Sequence, residues 1–282
     1  MVTPPGWAWS EVDVALPRPP HRLPGIRMAG FGQRACVPWG MAMVPHPSVT
    51  LLLDLSEGDG AVYHLPGRDR RGSIVVGLIP GDLRATGPTR VDCLQIRLEP
   101  TAAAALLGVS TDLTGTVVAL EDVWGREAAR LEDRLRAATS WDERFAIAAR
   151  TLRRPPVRRI DPEVAHAWRR TLTSGGRLRV DGLAAEVGWS RKRLWSRFGS
   201  QLGTTPKRAA RLVRFDHAAH LLAAGHPPAT VASETGYADQ SHLHRDTLAF
   251  ANLTPAAVAT APWLAIDDTA WPSQSTKTGS TA

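Results

Sequence analysis

Cysteine is nearly absent: 282 residues hold two, Cys36 and Cys93. A disulfide framework needs more, and so does a cysteine-based zinc site, so both are read as buried thiols. Long apolar runs are missing too. No stretch approaches the roughly 18 residues of a membrane-spanning helix. The N-terminus, MVTPPGWAWSEVDV, lacks the basic-then-apolar pattern of an export signal. The expectation is a cytoplasmic chain with no membrane partner. The phosphate-cradling G-x-x-x-x-G-K-[ST] loop, a strand-linked G-x-G-x-x-G and a G-x-S-x-G elbow do not occur. His21, His46 and His64 lack the close H-x-H spacing and downstream carboxylate of a β-barrel metal site. Cys93 has no adjacent histidine and Cys36 precedes Val-Pro, a poor setting for a nucleophile. No catalytic residue, metal or cofactor is therefore assigned.

What is present is enough for real cores. Hydrophobic residues make up 43% and charged residues 22%, and the length suggests two domains. The net charge of +7 is unevenly distributed. Residues 1–152 balance to −1, whereas 153–260 carry 17 Arg+Lys against 8 Asp+Glu. A neutral half joined to a basic half suggests a polyanion-binding module fused to something else, with a generic solvated basic face as the plainer reading.

The neutral half reads as a small antiparallel β domain, a barrel or half-sandwich. Strands are expected at 49–55 (VTLLLDL), 61–65, 73–79 (SIVVGLI) and 92–98 (DCLQIRL), separated by turn chemistry such as Glu57-Gly58-Asp59-Gly60. Trp7, Trp9 and Trp39, in a Pro/Gly-rich segment, are candidates either for an aromatic ligand pocket or for packing of that segment. Leu120, Trp124, Ala128, Leu131 and Leu135 recur at helical spacing and predict one helix face. A second helix is expected at 141–152, capped by Ser140. These two helices could pair across a two-fold axis or pack on the β domain. Arg153-Arg154-Pro155-Pro156 marks the boundary, giving domains at 1–154 and 155–266, with a disordered Thr/Ser/Pro-rich tail at 267–282.

The basic half contains a repeat. Leu183-Ala184-Ala185-Glu186-Val187-Gly188-Trp189 matches Val231-Ala232-Ser233-Glu234-Thr235-Gly236-Tyr237, and Gly203-Thr204-Thr205-Pro206 matches Asn252-Leu253-Thr254-Pro255. In each copy a short helix ends at Gly188 or Gly236, where glycine tolerates a left-handed turn. Ser190 or Asp239 then caps a second helix. That is a helix–turn–helix, twice. Between the copies, Leu212, Phe215, Ala219 and Leu222 form one apolar face of a spacer helix, leaving Arg208, Arg211 and Arg214 for solvent or phosphate.

Gly236-Tyr237-Ala238-Asp239-Gln240-Ser241-His242-Leu243-His244-Arg245, followed by Leu253-Thr254-Pro255, resembles the C-terminal motif of the AraC/XylS family of bacterial transcription regulators. Trp189-Ser190-Arg191-Lys192-Arg193-Leu194 with Phe198, Leu202-Gly203 and Thr205-Pro206-Lys207 resembles that family's first reading unit. The resemblance implies a sequence-specific, DNA-binding transcription factor with two reading helices in adjacent turns of the major groove. Its N-terminal domain would sense a small-molecule effector, dimerise, or both. Double-stranded DNA is the implied partner, with room for RNA polymerase and a homodimer.

The resemblance also implies the reading positions: Arg191, Lys192, Trp195 and Ser196 in the first unit, Gln240, Ser241, His242, His244 and Arg245 in the second. Arg and Gln suit the O6/N7 edge of guanine and the N6/N7 edge of adenine. Trp195 is read first as a partly buried aromatic and second as a contact to a thymine methyl, and one of His242 and His244 as a phosphate contact. Two departures stand out. Ser196 occupies a common base-reading Arg position, with Arg197 next to it, and Thr247 occupies a common aromatic core position, which suggests a looser second unit. The competing readings are an N-terminal catalytic or metal-dependent domain targeted by DNA binding, and an architectural DNA-binding protein without a sensed ligand.

Overall fold

The computed structural model describes residues 12–33, 39–56, 58, 60–79, 81–87, 91–108, 114–261, 264 and 267–271. Among the described residues the first half holds ten strands: β1 (Val12–Ala15), β2 (Ile26–Gln33), β3 (Trp39–Ala42), β4 (Val49–Asp54), β5 (Val62–Leu65), β6 (Arg68–Arg71), β7 (Ile74–Val76), β8 (Arg84–Gly87), β9 (Asp92–Leu98) and β10 (Val117–Ala119). They form two antiparallel sheets, ordered β1-β2-β9-β4-β7-β10 and β3-β8-β5-β6. Of the two expected forms, a barrel or a half-sandwich, the described strands form open sheets and no closed barrel.

The four expected strands are β4, β5, β7 and β9. They are the apolar ones, and β4 is buried along its whole length because both faces of its sheet are covered. Leu52 packs toward the second sheet with Trp39, Tyr63, Ile74 and Ala85. Leu51 and Leu53 face the other way, into a core shared with helices. Strands such as β6 (RDRR) and β8 (RATG) carry no apolar alternation, so they escaped a reading based on it.

Helix α1 (Pro100–Leu107) follows β9. The helix expected from Leu120 onward is two helices, α2 (Leu120–Trp124) and α3 (Arg126–Ala137), because the chain turns at Gly125. Helix α4 (Trp141–Leu152) starts as expected, with the Ser140 hydroxyl accepting from the Glu143 amide. Its Trp141 ring lies against Gly30 of β2, where a side chain would overlap it.

The second half is helical: α5 (Pro162–Thr173), α6 (Val180–Glu186), α7 (Arg191–Leu202), α8 (Pro206–Ala223), α9 (Pro228–Thr235), α10 (Gln240–Ala251) and α11 (Pro255–Ala259). Helix α8 is the spine, packing against α5, α7, α9, α10 and α11. Leu212, Phe215, Ala219 and Leu222 are all buried.

The two halves are docked on each other. Ala104 of α1 enters the core of the first unit beside Trp168 and Phe198. Asn252, just after α10, donates to Asp82 at 3.3 Å. The expected disordered tail is corrected for its first residues: Asp267–Ala270 form a short helix, α12. Asp267 and Trp271 are buried. Trp271 covers Ala29 and Phe31, on the face of the six-stranded sheet that also carries Leu52.

Candidate nucleic-acid interface

The two units repeat in detail. Gly188 and Gly236 follow α6 and α9 with φ of +66° and +80°. The Ser190 hydroxyl accepts from the Arg193 amide at 3.2 Å, and the Asp239 carboxylate accepts from the His242 amide at 2.7 Å. Gly203 and Asn252 end α7 and α10 in the left-handed region. Thr205 and Thr254 then cap α8 and α11, each followed by Pro at the first turn. Because every boundary has its own cap, each reading helix is fixed at both ends by local chemistry. A Gly236→Val substitution puts a β-branched residue at φ +80°. It is expected to lower stability by about 1–2 kcal/mol, read by urea denaturation.

The interior positions behave as expected: Leu194, Phe198 and Leu243 are fully buried. Thr247 is also buried, its hydroxyl donating to the Leu243 carbonyl at 2.8 Å. The aromatic that the position lacks is supplied one turn on. Phe250 packs against Phe215 of α8 with centroids 5.3 Å apart. Arg211 reaches from α8 to the buried Asp246 of α10 at 2.7 Å and lies over the Phe250 ring. Arg214 donates to the Gly176 carbonyl at 2.9 Å. Arg211 and Arg214 are therefore structural ties; only Arg208 of the three stays exposed. Burial and its neighbour Asp246 push the Tyr237 hydroxyl above the usual range.

The proposed reading residues fall on the outer surfaces of α7 and α10. Arg191, Lys192, Trp195, Ser196, Gln240, Ser241, His244 and Arg245 are exposed. Trp195 is 46% exposed, which leaves its indole both partly covered and open to a groove. His242 is only half exposed, its ring meeting Tyr237 edge-on at 5.1 Å. Arg191 carries an ion pair to Asp181 of α6 at 2.7 Å, a neighbour that nothing in the repeat pattern flagged. Arg197 cannot stand in for the arginine missing at Ser196, since it makes two hydrogen bonds to Asp161, at 2.7 and 2.9 Å.

The repeated glutamates have diverged. Hydrogen bonds from Arg170 and His166 hold the Glu186 carboxyl down at about 2. In the second unit it is the Glu234 carbonyl that is used, accepting from Arg177 at 2.6 Å and so joining the two units.

The family described as "Helix-turn-helix domain" matches residues 183–261, a span running from α6 to just beyond α11. This segment is an AraC-type helix-turn-helix domain. Among solved structures, the chain is similar to ToxT from Vibrio cholerae O395, with 10% identity, 83% of this chain and 97% of that one covered, and a TM-score of 0.46. It is also similar to the C-terminal domain of AraT, a response regulator from Geobacillus stearothermophilus, with 21% identity, 36% and 87% covered, and a TM-score of 0.34. No curated protein sequence matches.

The AraC-type domain is joined to a neutral half in which only some of the candidate residues are described. Trp39 is buried between the sheets, which makes it a packing residue; Trp7 and Trp9, like Cys36, lie outside the described residues. Burial and the nearby Asp54 and Asp92 push the Cys93 thiol well above the usual range, so it is no thiolate. Among the described residues no cluster of three His, Cys, Asp or Glu could hold a metal, and no helix is long and apolar enough to cross a membrane.

Proposed function

We propose that this protein is a transcription regulator that places α7 and α10 in successive turns of the major groove. The observation carrying this reading is the pair of helix–turn–helix units, capped at matching positions and hung on one unbroken helix. The 18 residues of α8 rise about 27 Å. That compares with the ~34 Å between successive groove faces of B-DNA. In this reading Arg191, Lys192, Trp195, Ser196, Gln240, Ser241, His244 and Arg245 meet bases or phosphates, and His242 braces Tyr237. The N-terminal half responds to a small molecule and transmits its state through the docked surfaces. No catalytic step is assigned to it. The chain acts in the cytoplasm, where a second copy and RNA polymerase are its further partners.

Fluorescence anisotropy of the full chain against genomic fragments tests this reading. Affinity is expected to fall steeply between 50 and 200 mM salt, since phosphate contacts release counterions. Arg191→Ala and Arg245→Ala are each expected to cost ~1–3 kcal/mol of specific binding with folding unchanged. For Arg191 the release of Asp181 makes the lower end the expectation. Salt-independent binding, or two variants that bind like wild type, would refute the assignment of the reading helices.

A further inference from the structure

The two reading units have separate cores. Trp168, Leu194 and Phe198 of the first share a cluster with Ala209 and Val213 of α8. Val231, Leu243 and Phe250 of the second belong with Leu212, Phe215 and Leu222, on another side of the same helix. Packing of this kind fastens each unit to α8. The angle between the units then depends on how firmly each grips the helix.

A direct tie also runs between them, through the turn at 174–177 that joins α5 to α6. Gly176, at φ +72°, rests on the α8 backbone, too close to the Ala210 carbonyl to carry a Cβ. Arg214 of α8 donates to the Gly176 carbonyl at 2.9 Å and lies over the Tyr237 ring, 5.5 Å from its centroid. Arg177 continues the brace into the second unit. Its stem passes over Gly236, with Cγ 3.6 Å from where a Cβ there would stand, and its Nη2 donates to the Glu234 carbonyl at 2.6 Å. That carbonyl is in the last turn of α9, where a helix has no amide of its own to offer. Gly236 and Tyr237 form the turn that leads into α10, so the brace ends on the residues that aim the second reading helix.

We propose that Arg177 is a positioning residue for DNA recognition: from the first unit it holds the turn of the second, and so sets the spacing and angle between α7 and α10. This rests on the regulator reading and deepens it, because the separation of two half-sites becomes part of what the protein recognises. One base pair moves a half-site by about 3.4 Å and turns it by roughly 35° about the duplex axis. A hydrogen bond of this kind is worth a factor of roughly 3–10 in an equilibrium, enough to register against such a shift.

The test starts with the full chain selecting duplexes from a randomised pool. A selected duplex is then remade with one base pair inserted or removed between its half-sites. By fluorescence anisotropy, wild type is expected to bind both shifted duplexes at least about tenfold more weakly than the original. In Arg177→Ala that ratio is expected to fall at least about threefold. It is expected to fall in Arg214→Gln as well, which cuts the other leg of the brace. Each ratio compares duplexes on one variant, so a general loss of folded protein cancels from it. An unchanged ratio in Arg177→Ala overturns the proposal, and so does a wild type that binds all three duplexes alike. Equal weakening of Arg177→Ala on every duplex, with a shallower salt dependence, would make Arg177 a phosphate contact instead. Those outcomes leave the regulator reading standing, whereas a wild type that selects no sequence from the pool removes that reading and this proposal with it.

Discussion

Asp267→Ala is expected to destabilise the protein by about 3–5 kcal/mol, the cost of breaking a buried pair from one side. The side chains of Arg97 and Asp267 are 3% and 6% exposed. With the carboxylate gone, Arg97 stays buried opposite Arg27, with the Trp271 ring 4.3 Å away as its remaining tail contact. The same change frees α8 from the tail, because Asp267 also holds His220.

A loss below 1 kcal/mol in urea denaturation would show that the tail does not clasp the sheet. The pH dependence gives an independent reading. Burial alone would raise the Asp267 carboxyl, but Arg97 and His220 outweigh it and hold it far below the usual range. Its stabilisation is therefore present above about pH 4 and is lost as pH falls toward the depressed folded value. Asp267→Ala should remove that component of the acid limb. Asp216 has the opposite sign. Its folded value of about 6 lies above the unfolded one, so its contribution is full below about pH 4 and is lost as pH rises through 6.

Gly176→Ala is the second large effect, with an expected loss of about 2–5 kcal/mol. Gly176 follows α5 with φ +72°, and a Cβ there would sit 2.1 Å from the Ala210 carbonyl oxygen and 3.2 Å from the Arg214 amide nitrogen. Both atoms belong to the backbone in the middle of α8, so neither can rotate aside as a side chain would. The turn must lift off the spacer, breaking the bond from Arg214 to the Gly176 carbonyl as it goes. Since α8 also supports α7 and α10, DNA affinity should fall together with the melting temperature. An alanine variant as stable as wild type would mean that the turn does not rest on the helix.

Gly176 also illustrates where sequence reasoning stops. Gly188 and Gly236 were legible because each follows a short apolar helix and precedes a capping Ser or Asp, a pattern contained within ten residues. Gly176 follows no such pattern, because its constraint comes from a helix more than thirty residues away. The reading helices were legible for the same reason as their glycines: caps, apolar spacing and turn chemistry act between near neighbours. Which arginines remain available to DNA was not. Arg197, Arg211 and Arg214 look like surface cations in the sequence and are taken up by Asp161, Asp246 and the Gly176 carbonyl.

By itself, then, the sequence determined the doubled helix–turn–helix, its caps, the spacer and the apolar strands, because these follow from the order of residues along short stretches. Only the tertiary structure decided between a barrel and two open sheets, that a polar tail folds back on one of them, and that Arg27 and Arg97 share a cavity with α8. Those outcomes depend on charge and shape meeting across 170 positions between Arg97 and Asp267 and more than 240 between Arg27 and Trp271. A local pattern carries no record of a partner that far away.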